Sequence, residues 1–343
     1  MIQHNLFDQD KRQAGISGVN REAPTISIAI VSYNSRELLR DCLASIEPER
    51  WQQVTVVDNA SSDGSEDMVR QDFPWVQFII SRKNNGYGAG ANLAIASCSS
   101  KYVLLLNCDT VLQPGALEAL SNYLDQHAHA AIAGPHLMNP DGTSQVSCFQ
   151  FPTPLQILLK ETSLSRFLWR YSKPCSTDLL DESHPVVQAV PWVLGAALAI
   201  RRLAFDSVGG FDESFFMYFE EVDLCYRLST AGWQTHFVPT ARVTHLGRGS
   251  TQQHRAAMAV QFYKSLFHFY RRHYSGSQRF QLRYVLTYLM LRNIVRDSFR
   301  LSRAKNPFTN RDADNLLVWR SVLFNVWSAN GWLNHESVLG DGS

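Results

Sequence analysis

The sequence predicts an α/β fold in which a mostly parallel sheet is flanked by helices and followed by a helical C-terminal extension. Three observations carry this. Apolar, β-branched runs alternate with segments of helical periodicity from residue 25 to about residue 140. The runs are apolar along their length, as in strands buried on both faces. From His254 onward the pattern becomes helical.

The elements follow in order. "TISIAIVSY", from Thr25, reads as a buried parallel strand, and "SRELLRDCLASI" as a helix with Ser35 as a plausible N-cap. "VTVVDN" is a second strand, "SSDGSEDMVRQD" a turn and short helix, and "VQFIIS" a third strand. "NNGYGAGAN" (84–92) opens a helix, "KYVLLLN" is a fourth strand, and "PGALEALSNYLDQH" is a helix with Pro114 at its start. "AAIAGP" is a fifth strand, and "NPDGT" is a tight turn between strands. Residues 150–187 read as a loop or partly helical insertion. "VPWVLGAALAIRR" returns to sheet, "FEEVDLCYRLSTAGW" is a helix ending at Gly232, and "QTHFVP" and "ARVTHL" are two short strands. The expected organisation is a loose tail over 1–24, a catalytic domain over 25–250 and a basic helical region over 251–343. Sheets of this class bind ligands beyond the carboxyl ends of their strands. Tyr33, Asn34, Asp58 and the stretches 84–92 and 107–109 all fall there.

Composition excludes several classes. At 343 residues and 45% hydrophobic the chain can bury a large core and is too apolar to be disordered. A net charge of +1 gives no overall attraction to nucleic acid, and no nucleic-acid partner is expected. Six scattered cysteines form no C-x-x-C pair, which suits reduced thiols in a cytoplasmic protein. The N-terminus lacks an apolar signal core, and the longest apolar run, 189–200, is too short to span a bilayer. Charge is unevenly placed: residues 254–305 hold eleven Lys and Arg against one acid, Asp297. Basic amphipathic helices of this kind either lie on an anionic membrane surface or pack on a domain with a solvated basic face.

Two chemistries compete for the glycine motif. Gly86-x-Gly88-x-x-Ala91 follows a strand, opens a helix and precedes Asp109 by about 20 residues, as in an NAD(P)-dependent oxidoreductase. That reading leaves "SRKNN" unexplained between strand and glycine, and it ignores two complete β-α units upstream. The stronger reading is a nucleotide-sugar transferase, which must hold a nucleoside diphosphate, place a divalent cation against it and deprotonate an acceptor hydroxyl. Mg2+ and Mn2+ prefer oxygen ligands, and a carboxylate in a short turn after a buried strand supplies one rigidly. Asp109 in "LLLNCDT" fits, with Asn107 beside it; the plainer alternative is an Asx-turn ahead of Pro114. Glu220, Glu221 and Asp223 lie within four residues among aromatic neighbours, where mutual repulsion and burial raise proton affinity and suit a general base. Acids at an ordinary helix start are the alternative. His245 in "VTHLGRGS" can complete a cation site, and Arg248 can neutralise phosphate oxygens.

Taken in order, "IAIVSYNS", "VTVVDNASSDGS", "NNGYGAGAN", "YVLLLNCDT", "WVLGAALAIRR", "GGFDESFFMYFEEVDLCYRLSTAGW" and "VTHLGRGS" resemble the family 2 inverting glycosyltransferases of GT-A fold, especially their rhamnosyltransferase-like branch. The resemblance spans roughly residues 25–250. It implies that Tyr33, Asn34 and Asp58 line the nucleoside pocket, that Asn85, Gly86 and Asn92 shape the donor pocket, and that Trp192 and Gly195 border the acceptor. It implies that Asp109 is the metal-binding acid of a D-x-D position whose first acid is Asn107 here, and that His245 is the late metal or diphosphate contact. The catalytic base falls on Glu221, one methylene longer than the usual Asp, with Glu220 and Asp223 as supporting carboxylates. The implied substrates are dTDP-rhamnose, or a UDP-hexose, and a glycan or lipid-linked glycan of cell-surface polysaccharide synthesis. The implied setting is the cytoplasm, peripheral on the inner face of the membrane, with membrane contact through 254–305. A family member that has lost catalysis and acts as a binding subunit is the third reading; the intact acidic cluster and Asp109 argue against it.

Overall fold

A computed structural model describes residues 26–46, 53–162, 186–247, 255–303 and 311–328. The expected N-terminal tail, most of the 150–187 insertion and Arg248 lie outside the described residues.

The strands are β1 (Ile26–Ser32), β2 (Val54–Asp58), β3 (Gln77–Ile80), β4 (Tyr102–Asn107), β5 (Thr110–Leu112), β6 (Ala130–Met138), β7 (Cys148–Phe149), β8 (Gln188–Val190), β9 (Trp192–Val193), β10 (Ala197–Arg201) and β11 (Gln234–His245). The helices are α1 (Arg36–Ala44), α2 (Ser65–Asp72), α3 (Tyr87–Ala96), α4 (Ala116–Gln126), α5 (Pro154–Glu161), α6 (Arg202–Ser207), α7 (Glu220–Thr230), α8 (Arg255–His273), α9 (Gly276–Arg303) and α10 (Arg311–Val326). The main sheet runs β3-β2-β1-β4-β10-β6-β11-β5, with β8 paired to β11. β3, β2, β1 and β4 are parallel neighbours. Antiparallel β10 sits between β4 and β6, and β6 is parallel to β11. The result is the mostly parallel, helix-flanked sheet the periodicity predicts. β1 and β2 are buried at every position, which is why they read as unbroken apolar runs.

Three differences from the sequence reading shape the site. "QTHFVP" and "ARVTHL" form one strand, β11, with a register shift between Val238 and Arg242; such a shift bends a strand while keeping it paired. Pro239 and Thr240 at the shift made the run look like two. The second difference is β5, a three-residue strand that periodicity cannot detect. It pairs antiparallel with the end of β11, placing His245 opposite Thr110.

The third is the extent of contact between the helical C-terminal region and the sheet domain. One apolar cluster joins Phe215, Phe219 and Val222 to Leu266, Phe269 and Leu286 of α8 and α9. Asp223, fully buried, accepts from Arg227 Nε at 2.7 Å and bonds His273 Nε2 of α8 at 2.6 Å, with Arg272 Nε 3.5 Å away. Arg227 also donates to the carbonyls of Val208 and Gly210, at 2.7 Å each. Asp223 therefore ties α7 to α8, with both carboxylate oxygens engaged. The expectation that it supports the catalytic carboxylates does not fit this geometry: it stands two residues beyond Glu221, about 200° around the helix, and its carboxylate meets α8. Among the described residues no helix is long and apolar enough to cross a membrane.

Removing one partner from a buried ionic cluster strands the others without compensation. Asp223→Ala is expected to destabilise the fold by about 3–5 kcal/mol, read as a lowered urea midpoint. An unchanged midpoint would show that the α7–α8 tie carries no load.

Candidate active site

The strand ends predicted to bind ligand do converge. At the ends of β1 and β2, Asp58 accepts from the Ser61 amide at 3.1 Å and from the Ser61 hydroxyl. The Asn34 amide donates to that hydroxyl at 2.8 Å, and Asn34 Oδ1 accepts from the Ser62 amide at 2.9 Å. Asn34 adopts φ 47°, a left-handed turn that Asn tolerates. Burial pushes the Asp58 carboxyl up, against the Ser61 hydrogen bonds. Tyr33 is exposed beside this cradle, and Asn85 is exposed on the opposite lip.

The glycines of 84–92 have a different use from the one expected. A Cβ on Gly86, at φ 91°, would meet Phe216 O at 2.3 Å. On Gly90 it would meet Val31 Cγ1 at 2.8 Å. These glycines bring backbone against protein, not ligand: they seat α3 on β1 and on the 211–219 segment. The Tyr87 amide donates to Phe216 O at 2.9 Å, and Asn59 Nδ2 donates to Gly86 O at 3.0 Å. Asn92 clamps the same segment. It donates from Nδ2 to Phe211 O at 2.9 Å and to Glu213 Oε1 at 3.0 Å, and its Oδ1 accepts from the Phe211 amide at 2.9 Å. Its amide is thus spent on protein. No dinucleotide reading survives this: Gly86 and Gly88, the positions that would face a pyrophosphate, face Phe216 and Phe211.

The clamped segment delivers the acids. Tyr218 and Phe219 are both left-handed, at φ 66° and 70°, a strained pair for aromatic residues. Phe219 packs on Phe262 and Phe269 of α8, and Ser265 donates to Met217 O at 2.7 Å. The turn ends at the start of α7 with Glu220 and Glu221. Both Oε2 atoms are buried with no hydrogen-bond partner among the described residues. Burial pushes Glu220 well above the ordinary carboxylate range, and repulsion from Glu221 adds to it. Burial also raises Glu221, and backbone amides at the helix start and at Gly195 oppose the rise. The two titrate as a pair. The repulsion involves two carboxylates, not three, because Asp223 points away.

Gly195 packs directly on Glu221: a Cβ there would lie 3.4 Å from Glu221 Cγ. Its neighbour Ala196 accepts from the Asn107 amide at 2.9 Å. The Gly195–Ala196 turn therefore touches the base candidate on one side and the end of β4 on the other. There Asp109, 6% exposed, stands 3.5 Å from His245 Nε2, a closeness set by the β5–β11 pairing. Asn107 Oδ1 is buried without a partner among the described residues. Trp192, stacked on Phe149 at 4.5 Å, donates to Gln150 O at 2.9 Å.

Two residues were missed by sequence reasoning. Gln145 Oε1 bonds His245 Nδ1 at 2.7 Å, and Gln145 Nε2 donates to Asn139 Oδ1 at 3.3 Å. Because an amide oxygen accepts, His245 Nδ1 donates in this bond, and its Nε2 faces Asp109. Tyr87 carries a buried, unpartnered hydroxyl whose proton is held tightly, first by burial and then by the charges of Glu220, Glu221 and Asp109. It lies between the acid pair and the Asp109–His245 pair. No three-ligand cluster of His, Cys, Asp or Glu occurs among the described residues, so a cation here would take the rest of its shell from elsewhere. A carboxylate oxygen beside a tautomer-fixed imidazole nitrogen, with a free amide oxygen nearby, fits Mn2+ or Mg2+.

A mostly parallel sheet with a polar cradle at the ends of β1 and β2, and with an Asp–His pair and a buried carboxylate pair linked through one turn, suits a nucleotide-sugar transferase of GT-A type. The comparisons agree. The sequence profile of the family described as "Glycosyltransferase like family 2" matches residues 23–264. The chain belongs to that family and is a glycosyltransferase. It is 33% identical over 297 residues to the N-acetylglucosaminyl-diphospho-decaprenol L-rhamnosyltransferase of Mycobacterium tuberculosis, covering 82% of this chain and 96% of that protein. Rhamnosyltransferase WbbL of Escherichia coli K12 is 25% identical, over 64% of this chain and 83% of that one. Among solved structures, GalNAc-T7 with UDP, GalNAc and Mn2+ superposes with TM-score 0.53 at 15% identity, over 72% of this chain and 48% of that one. The mannosyltransferase PcManGT of Pyrobaculum calidifontis, with GDP-Man and Mn2+, superposes with TM-score 0.50 at 14% identity, over 89% of this chain and 75% of that one. At those identities the superpositions speak for the fold alone.

The raised Glu220 carboxyl has a pH consequence. Below its ordinary value of 4.5 the group is protonated in both folded and unfolded chains, and its contribution to stability is fully present. As pH rises the unfolded chain ionises first, and stability is lost until the raised folded value is passed. Glu220→Gln removes that loss. Its melting temperature is expected to match wild type near about pH 4 and exceed it near about pH 8; a constant gap across that range contradicts the buried-acid assignment.

Proposed function

We propose that the protein is an inverting, metal-assisted rhamnosyltransferase that moves L-rhamnose from dTDP-rhamnose to a hydroxyl of a lipid-linked glycan, at the inner face of the cytoplasmic membrane, in cell-surface polysaccharide synthesis. The observation that carries the mechanism is the Gly195–Ala196 turn, which packs on Glu221 through Gly195 and accepts from the Asn107 amide, two residues before Asp109, through Ala196. The donor is favoured by the two relatives named as rhamnosyltransferases, and the acceptor class by the diphospho-decaprenol in the name of one.

The Asp58–Ser61–Asn34 cradle would hold the nucleoside, with Tyr33 exposed beside it. Asp109 and the Nε2 of His245 would hold Mg2+ or Mn2+, which neutralises charge on the departing nucleoside diphosphate. Gln145 keeps the His245 lone pair available by fixing its tautomer. Glu221 takes the proton from the acceptor hydroxyl as that oxygen attacks the anomeric carbon from the face opposite the diphosphate. Its base strength comes from its buried Oε2, which has no hydrogen-bond partner among the described residues, and burial raises the proton affinity of both members of the pair. The buried rings of Phe211, Phe215 and Phe219 would help to keep water, which competes with the acceptor, away from the acid pair.

Glu221→Gln is expected to lower turnover by about 10²–10⁴-fold while donor affinity, read by calorimetry, stays near wild type. Normal turnover would sink the base assignment. Asp109→Ala is expected to weaken donor binding about tenfold or more in Mn2+ and to abolish the difference between Mn2+ and chelator. Identical donor binding by wild type with and without chelator overturns the metal role.

A further inference from the structure

Helix α9 is amphipathic on its outer side as well as its inner one. Its inner face buries Leu282, Leu286, Leu289, Met290, Asn293 and Asp297. Its outer face carries Phe280, Tyr284, Tyr288, Leu291, Val295 and Phe299, each between 50 and 70% exposed. Steps of four, four, three, four and four residues keep these six on one side of a 28-residue helix, opposite the buried row. The stripe runs on at one end through Trp327, whose ring meets Tyr284 at 5.5 Å. Soluble proteins rarely leave so long an apolar band uncovered.

The charges beside the band indicate what covers it. By helical angle, Arg292, Arg296 and Arg303 flank one edge and Arg283 the other. Arg292 donates to Glu161 O at 2.6 Å and Arg283 lies over Phe267 and Trp327, which leaves Arg296, Arg300 and Arg303 as the exposed cations near the C-terminal end of the band. Arg303 lies over the Phe299 ring at 4.0 Å, with its stem along the apolar band. The one acid of the helix, Asp297, is buried and bonded to Arg296 and Trp319, so no carboxylate of α9 faces outward. A second copy laid along this face would set guanidiniums against each other. An anionic lipid surface instead takes the aromatic and aliphatic row among its acyl chains and sets its phosphates beside the exposed guanidiniums of Arg296, Arg300 and Arg303. Tyr and Phe suit that depth, since their rings tolerate the headgroup boundary.

We infer that the outer face of α9 is a membrane-docking surface on which the helix lies flat in an anionic lipid interface, anchored by Tyr284, Tyr288, Leu291, Val295 and Phe299 and flanked by arginines. This deepens the reading of a lipid-linked acceptor and rests on it for its purpose. It is tested without donor or acceptor, so docking and transfer can fail separately.

The test is co-sedimentation of the full chain with large vesicles of phosphatidylcholine alone or mixed with phosphatidylglycerol. Wild type is expected to pellet with the phosphatidylglycerol vesicles, less so at high salt, and weakly with phosphatidylcholine. Leu291→Asp with Val295→Asp is expected to weaken vesicle binding at least about tenfold with an unchanged melting temperature. Arg300→Gln with Arg303→Gln is expected to weaken only the phosphatidylglycerol component. Absence of pelleting, or pelleting indifferent to the Asp pair, overturns the proposal. So does a wild-type dimer dissolved by the Asp pair without vesicle binding, which assigns the face to a second copy. A large fall in melting temperature for the Asp pair also overturns it, because the chain itself then covers the stripe.

Discussion

The carbonyl of Phe216 occupies the space a side chain at residue 86 would need, and the amide of Tyr87 bonds to it. Everything at the catalytic end of the molecule depends on that close approach. It fixes the 211–219 segment against α3, and Asn92 closes the other end of the same seam. The segment can then turn through two left-handed aromatic residues and enter α7 with Glu220 and Glu221 already buried. The strain of that turn is offset by the packing of Phe219 on α8. A flexible arrival would leave the two carboxylates in water, with ordinary proton affinities and no fixed relation to the sugar.

The sheet was legible because its strands are buried on both faces and its helices are amphipathic. β1, β2 and β4 could be read as apolar runs without any tertiary information. The site was legible only in part. Asp109 and His245 stood out as residue types at strand ends, yet what brings them together is β5, three residues long and without a period of its own. Gln145 had no signal: a polar residue after a turn acquires meaning only when its amide is found on His245 Nδ1. Tyr87 was hidden in plain view, because the glycines around it drew attention to backbone chemistry.

Asp223 illustrates the converse difficulty. Sequence spacing placed three acids together, but the third stands two residues beyond Glu221, more than half a turn around the helix, and its carboxylate meets α8. The glycine motif misleads for a related reason. The demand for close backbone approach is the same whether the neighbour is a pyrophosphate or a carbonyl, and only the packing tells which.

The Asp223 tie also bears on how such enzymes can be recombined. Its partners come from both sides of any boundary near residue 254: Arg227 from α7, and Arg272 and His273 from α8. An exchange of helical regions between relatives, made to alter acceptor or membrane preference, would transplant half of a buried ionic cluster. The incoming helix must therefore bring matching donors, together with the aromatic residues that brace Phe219. Without them the graft would disturb the base it was meant to leave alone. The natural unit of exchange is the α7–α8 pair with the turn before it, which makes the acidic helix inheritable with its scaffold rather than with the sheet that holds the nucleotide.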